Sequence, residues 1–164
     1  MTDDEDAPPG KLSEWLWPIV GVIVCLGAGL AVGLTMEGGG GEWYQDLTKP
    51  PGNPPPWVFG PVWSVLYVLM GIAAGRLIHR RAMGTVTLFV IQFILNLAWT
   101  PVFFGAHAIG WALAVIFCIW GFLALTIRSA EKVDHLSAVL LLPYLFWIMY
   151  ATYLNAAIGW LNRA

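Results

Sequence analysis

Charged side chains are missing from four long stretches of this chain. No Asp, Glu, Lys or Arg occurs from Trp15 to Met36, Pro50 to Gly75, Ala82 to Ile127 or His135 to Asn162. Within these stretches the apolar positions do not alternate with polar ones, as the strands of a membrane β-barrel would require, but run all round a helix with frequent Leu, Ile and Ala. A bilayer core takes roughly 20 residues of helix at about 1.5 Å per residue. The pattern therefore predicts spans at about 15–36, 57–78 and 135–160. The long block from Ala82 to Ile127 is broken by Pro101 and by Phe104-Gly105-Ala106-His107, which predicts a tight hairpin of two spans, 83–104 and 108–128. The expected fold class is an all-α integral membrane protein, a five-transmembrane-helix bundle forming one domain over 15–162.

Composition agrees, with 59% hydrophobic and 11% charged residues against about 25% charged in soluble domains. The opening MTDDEDAPPGKLSE has no basic n-region of the kind that begins a signal peptide, and residues 1–14 are expected to be a disordered acidic tail. Basic residues sort strongly by side: Lys11, Arg76, Arg80, Arg81, Arg128 and Lys132 on one, only Lys49 and Arg163 on the other. In a plasma membrane this puts the N-terminus and the loops after the second and fourth spans in the cytoplasm. Arg76 and Arg128 are expected to snorkel to headgroups from helix ends.

The loop at 37–56 and the start of the second span are distinctive. From Leu47 to Tyr67 the chain carries six of its eleven prolines, in LTKPPGNPPPWVFGPVWSVLY. Proline fixes φ and pushes its predecessor towards extended geometry, so Lys49 to Pro56 should be a stiff strut, suited to act as a lid. Pro56 can open a helix at little cost, and Pro61 should bend it. The Gly38 to Gly41 run reads as a hinge, because no lysine follows it as in a phosphate loop.

Inside the spans the chemistry on offer is neutral and aromatic. Gln92, Asn96, Trp99, Thr100 and Phe103 recur at helical spacing on the third span; Trp147, Ala151, Leu154 and Asn155 do so on the fifth, with Tyr144 and Tyr150 alongside; Phe59, Trp63, Tyr67 and Met70 form a stripe on the second. Two readings stand at this stage. The amides and hydroxyls cross-link helices while the aromatics fill the core, or the three stripes converge on one mostly apolar pocket with a few oriented polar groups. Trp15, Trp17, Trp43, Trp57, Trp111 and Trp160 fit an interfacial belt; Trp120 is expected towards lipid. His79, His107 and His135 lie at loops or helix ends without metal-ligand spacing, and read as headgroup contacts rather than haem ligands; Asp134 beside His135 is read as solvent-side. Cys25 and Cys118 read as packing residues. Gly29 with Gly33, and Gly71 with Gly75, match the small-xxx-small pattern for close helix approach, internally or in a homodimer. No catalytic acid, base, nucleophile or metal site is present in the sequence, and no nucleic-acid partner is expected.

Taken together, LTKPPGNPPPWVFGPVWSVLY, QFILNLAWTPVFF and LLPYLFWIMYATYLNAAIGWLN, in this order from about Trp43 to Asn162, resemble the translocator protein or tryptophan-rich sensory protein family. The resemblance implies a five-helix bundle whose first long loop closes a pocket for porphyrins and other hydrophobic ligands. It points to Trp63, Tyr67, Asn96, Trp99, Tyr144, Trp147, Ala151 and Asn155 as ligand-binding residues, with Lys49, Pro50, Gly52, Asn53 and Pro55 in the lid. Two departures stand out. Family loops commonly carry tryptophan where this chain has Gly52, and the animal sterol pattern fails because Asn155 is followed by Ala156 and Arg163 lies far from Tyr153, which disfavours a specific sterol.

The expected function is a receptor, sensor or carrier for tetrapyrroles such as protoporphyrin IX, with no cofactor required. The alternatives are light- and oxygen-dependent porphyrin degradation and a regulatory scaffold acting through protein contacts. A bacterial envelope membrane, or the mitochondrial outer membrane in a eukaryote, is the expected location.

Overall fold

A computed structural model of the chain describes residues 11–35 and 41–163. Six α-helices follow one another: α1 (Lys11–Thr35), α2 (Glu42–Asp46), α3 (Pro56–His79), α4 (Met83–Thr100), α5 (Ile109–Glu131) and α6 (His135–Leu161), and no strand occurs among the described residues. All but the short α2 are long and apolar enough to cross a membrane, α4 doing so with its extension to Gly105. The spans match expectation to within a few residues, apart from the start of α1. Lys11–Glu14, assigned by sequence to the tail, form its first turn, where Glu14 complements the helix dipole. Residues 1–10 and most of the glycine hinge lie outside the described residues.

Consecutive long helices run antiparallel. α1 lies mainly against α3, α4 against α5, and α5 against α6, while α3 also packs on α6 and closes the bundle. The core holds Met70, Leu77, Ile116, Leu123, Leu141 and Tyr144. Cys25 joins it, whereas Cys118 is exposed on the lipid side and is not a packing residue.

The α1–α3 seam explains its glycines. A Cβ on Gly71 would lie 2.5 Å from the Val22 backbone, and one on Gly75 2.2 Å from the Trp17 carbonyl oxygen. Gly21, which no sequence pattern singled out, completes the seam, since its Cβ would meet the Gly71 oxygen at 2.1 Å. The Gly71–Gly75 face is thus spent on internal packing. Gly33, by contrast, has open space around it.

At the basic end one ion pair ties α3 to α6. Arg76 donates through Nε and Nη2 to the two Asp134 carboxylate oxygens at 2.7 and 2.8 Å, and Arg80 stands 3.8 Å away. Asp134 caps α6, accepting from the Ser137 backbone N–H at 3.3 Å and from its hydroxyl at 2.5 Å. Two expectations change: Arg76 does not snorkel to headgroups, and Asp134 is buried rather than solvent-side. The hydrogen bonds from Arg76, opposed by burial and helped by Ser137 and the nearby guanidinium charges, lower the Asp134 pKa from 3.8 to about 2.

Trp120 is also corrected. It is half-buried and its indole Nε1 donates to Thr152 Oγ1 at 3.1 Å, which holds α5 to α6 instead of facing lipid. An indole N–H has a partner to gain inside the bundle and none in hydrocarbon.

A carboxylate with a depressed pKa stabilises the fold above its unfolded value and loses that contribution as pH falls through its folded one. Asp134→Asn should therefore lower the melting temperature in detergent by a few degrees at pH 7, for a partly solvated pair worth on the order of 1–2 kcal/mol. That difference should shrink between pH 4 and pH 2, and an equal deficit at both ends would rule the ion pair out as its source.

Candidate functional site

The stripes on α3, α4 and α6 do converge. They enclose a cavity of about 330 Å³, completed by α1, by Ile116 and Ile119 of α5 and by Tyr44 of α2. Of the residues picked from sequence, Trp63, Tyr67, Asn96, Trp99, Trp147, Ala151 and Asn155 all line it. Among the described residues, none of the lining side chains is acidic, basic or a thiol. Shape, aromatic faces and neutral hydrogen bonds are what the cavity offers a ligand.

Each wall has a local cause. On α3, Phe59, Trp63 and Tyr67 stand one turn apart, and Trp63 stacks on Tyr67 with centroids 5.3 Å apart. Trp147 meets Trp63 edge-on at 6.2 Å and Phe59 at 6.1 Å, the T-shaped geometry that the ring quadrupole favours. Gly29 of α1 makes room for Tyr67, because a Cβ there would fall 2.1 Å from its ring. Tyr67 then donates to Asn96 Oδ1 at 3.1 Å.

The α4 wall depends on Pro101. Having no N–H, proline interrupts the ordinary helical bonding, and the chain continues as a π-helical turn, Pro101–Gly105, closed by a bond from Ala106 N to Pro101 O at 2.8 Å. The predicted break at Pro101 is thus a widening rather than an end. Trp99 stacks on Phe103 at 5.0 Å and meets Phe104 edge-on at 5.8 Å. Trp99 Nε1 also donates to Asn155 Oδ1 at 3.1 Å, and Asn155 Nδ2 donates to the Ile109 carbonyl at 2.9 Å, so one amide joins α4, α5 and α6. Both sequence readings of Asn96 and Asn155 hold at once: each cross-links helices, and each faces the cavity.

Four residues of the stripes sit elsewhere, Met70 and Tyr150 among them. Tyr144 is fully buried behind Trp63, 6.3 Å between centroids, and is absent from the wall. Its hydroxyl lies near Asn96 without reaching hydrogen-bonding geometry. Gln92 is equally buried, one turn below Asn96 where the helices close together, with no partner for its amide.

The proline-rich loop meets the cavity through Tyr44, ahead of its prolines. Lys49, Pro50, Gly52, Asn53 and Pro55 do not line the cavity; they shape and anchor the loop that delivers Tyr44. Asn53 N bonds to Pro50 O at 3.2 Å and Gly52 has φ 84°, the signature of a type II turn with Pro51 and Gly52 at its centre. A tryptophan at Gly52 would be strained there, so the departure noted in the sequence has a backbone cause. Lys49 Nζ donates to the Gln45 and Leu47 carbonyls and stands 4.9 Å over the Tyr44 ring, while Tyr44 donates to Asn53 Oδ1 at 3.0 Å. Burial raises the Tyr44 pKa, which keeps the phenol a neutral donor.

Two α6 residues and Asn162, just past the end of that helix, strap this loop down. Tyr150 donates to the Gly52 carbonyl, Tyr153 to that of Pro51 at 3.0 Å, and Asn162 exchanges two bonds with the Thr48 backbone at 2.9 and 3.0 Å. On the other side Trp43 stacks on His107 at 4.1 Å, which fastens the loop to the turn before α5. His107 reaches it from a left-handed backbone conformation, φ 54°, in the turn before α5. Sequence reasoning missed Tyr44 and Asn162 as site residues. An aromatic side chain in an otherwise polar inter-span loop was the available signal for the first, and nothing local marked the second.

A multi-pass helical bundle with an aromatic cavity beneath a strapped loop defines the class: an integral membrane protein built around an internal cavity. The chain belongs to the TspO/MBR family, whose model matches residues 8–161 and so takes in the first span as well. It is similar to the tryptophan-rich protein TspO of Chlorobaculum tepidum, 37% identical over 88% of this chain and 97% of that protein. The tryptophan-rich sensory protein of Cereibacter sphaeroides is 43% identical over 70% of this chain and 73% of its own length. The translocator protein of Homo sapiens is 37% identical over 94% and 95%.

Asn162→Leu removes both bonds to Thr48 while leaving the cavity walls in place. Amide exchange across 41–55 should accelerate about tenfold, the loss expected for roughly 1.4 kcal/mol of hydrogen bonding, with helix content unchanged. Unaltered protection by hydrogen-exchange mass spectrometry would mean that the strap does not hold the loop.

Proposed function

We propose that this protein is a membrane receptor or carrier for a flat, largely apolar ligand of the tetrapyrrole class, protoporphyrin IX among them, bound in the central cavity. The observation that carries this reading is the lining itself: Trp63, Trp147, Trp99 and Phe103 present ring faces and edges, with Asn96 and Asn155 as neutral polar groups between them. Such a mixture suits stacking on an extended π-system with a few orienting hydrogen bonds. The names of the relatives, a sensory protein and a translocator protein, speak of sensing and movement in those proteins and support a ligand-handling role here.

At about 330 Å³ the cavity stands at the small end of ligand sites, which span roughly 300–1,000 Å³. A whole macrocycle needs more room, and two walls can give it. Tyr44 rides on the strapped loop, and the last turns of α1, where Leu30 and Leu34 are exposed, have open space around Gly33. Ligand binding on this reading displaces one of these.

Titration of the purified protein with protoporphyrin IX, read by tryptophan quenching, tests the proposal. Trp63→Phe and Trp147→Phe should each weaken binding about threefold to tenfold, the loss of roughly 1 kcal/mol of aromatic contact, and the double variant more. Trp111→Phe, at an exposed lipid-facing position, is the control and should change nothing. Full affinity and full quenching in the double variant would remove the cavity as the binding site.

A further inference from the structure

A second cavity, of about 870 Å³, lies outside the bundle at the same end as the lid, between the start of α5 and the end of α6. Its composition is graded. Gly110, Leu113, Ala156 and Ala157 form an apolar floor that runs down the helices, and the small residues leave it deep. At its mouth stand His107, Asn162 and Arg163, with the carbonyl-bonded Tyr153 and the Pro50-Pro51 edge of the lid loop. The Arg163 guanidinium is positioned 4.7 Å over the Trp160 ring, a cation–π contact that holds the charge at the rim. No lining residue is acidic among the described residues. Trp160, largely exposed, lines the groove near the end of α6, where an interfacial aromatic is expected.

We propose that this groove is a binding site for one anionic phospholipid, with an acyl chain along the α5–α6 floor and the phosphate at Arg163, beside His107. Charge decides among the occupants. A cation above an apolar channel complements an amphiphile with an anionic head. An isologous contact with a second copy would bring two Arg163 side chains into one interface without a lining carboxylate to offset them. The site is separate from the central cavity, although Asn155 lines both. It also abuts the lid strap, since Asn162 serves the mouth of the groove and Thr48 at once.

Native mass spectrometry of the full chain, released from micelles containing phosphatidylglycerol or phosphatidylcholine, tests the assignment. One phosphatidylglycerol should be retained about fivefold more tightly than phosphatidylcholine, the preference expected from one arginine near the headgroup plane. Arg163→Gln should abolish the preference, and Leu113→Trp, which fills the channel, should reduce retention of both lipids. Arg128→Gln, at the opposite face, should leave the preference intact. Equal retention of the two lipids by the unaltered protein, or a preference that survives Arg163→Gln, would overturn the proposal. So would efficient disulfide-linked dimers of Ala156→Cys, which would place a second copy in the groove, or displacement of the lipid by millimolar glycerol phosphate, which would make it a free-anion site.

Discussion

Helices in a bilayer gain little from burying apolar surface against one another, because lipid tails are as apolar as leucine. What holds this bundle together is close contact and the pairing of polar groups that hydrocarbon cannot satisfy. The glycine seam between α1 and α3 supplies the first. The second comes from side-chain bonds that each join different helices: Tyr67 to Asn96, Trp99 to Asn155, Trp120 to Thr152, and Arg76 to Asp134. Nearly every cavity wall is fastened by one of them. Cavity lining and structural fastening are therefore the same residues, and a substitution at Asn155 bears on both.

Within that frame Pro101 has an influence out of proportion to its size. By denying α4 one donor it opens a π turn, and the extra residue in that turn swings Phe103 and Phe104 to where Trp43 and Tyr44 of the loop can rest on them. The loop is held on its far side by α6. Between these supports its backbone is set by the Pro51-Gly52 turn, so that a segment without regular structure over most of its length still delivers one phenol to one place.

The charge-free stretches made the five spans legible, because excluding ions from hydrocarbon is a constraint that acts on composition itself. The stripes on α3, α4 and α6 were legible too, since helical periodicity places Trp63 with Tyr67 and Trp147 with Ala151 whatever lies opposite. Pairings across long sequence separation were not. Nothing near Arg76 announces Asp134, nor anything near Trp120 its bond to Thr152, and both were assigned to the surroundings of the bundle. Periodicity also fails to say how deep a face is buried, which is why Tyr144 and Gln92 read as site residues and lie in the packed core. For the loop, the prolines signalled stiffness correctly but not purpose: they carry the backbone while Tyr44 makes the contact.

The reciprocal bonds between Thr48 and Asn162 span 114 residues. Most other packing joins helices that are neighbours in the chain, and can form as each hairpin enters the membrane. The loop must wait for the last turn of α6, and so must the Trp147 and Asn155 walls. During biosynthesis the cavity therefore stays open on one side until synthesis is nearly finished, and a truncated product lacking the end of α6 keeps most of its spans while never acquiring a closed cavity.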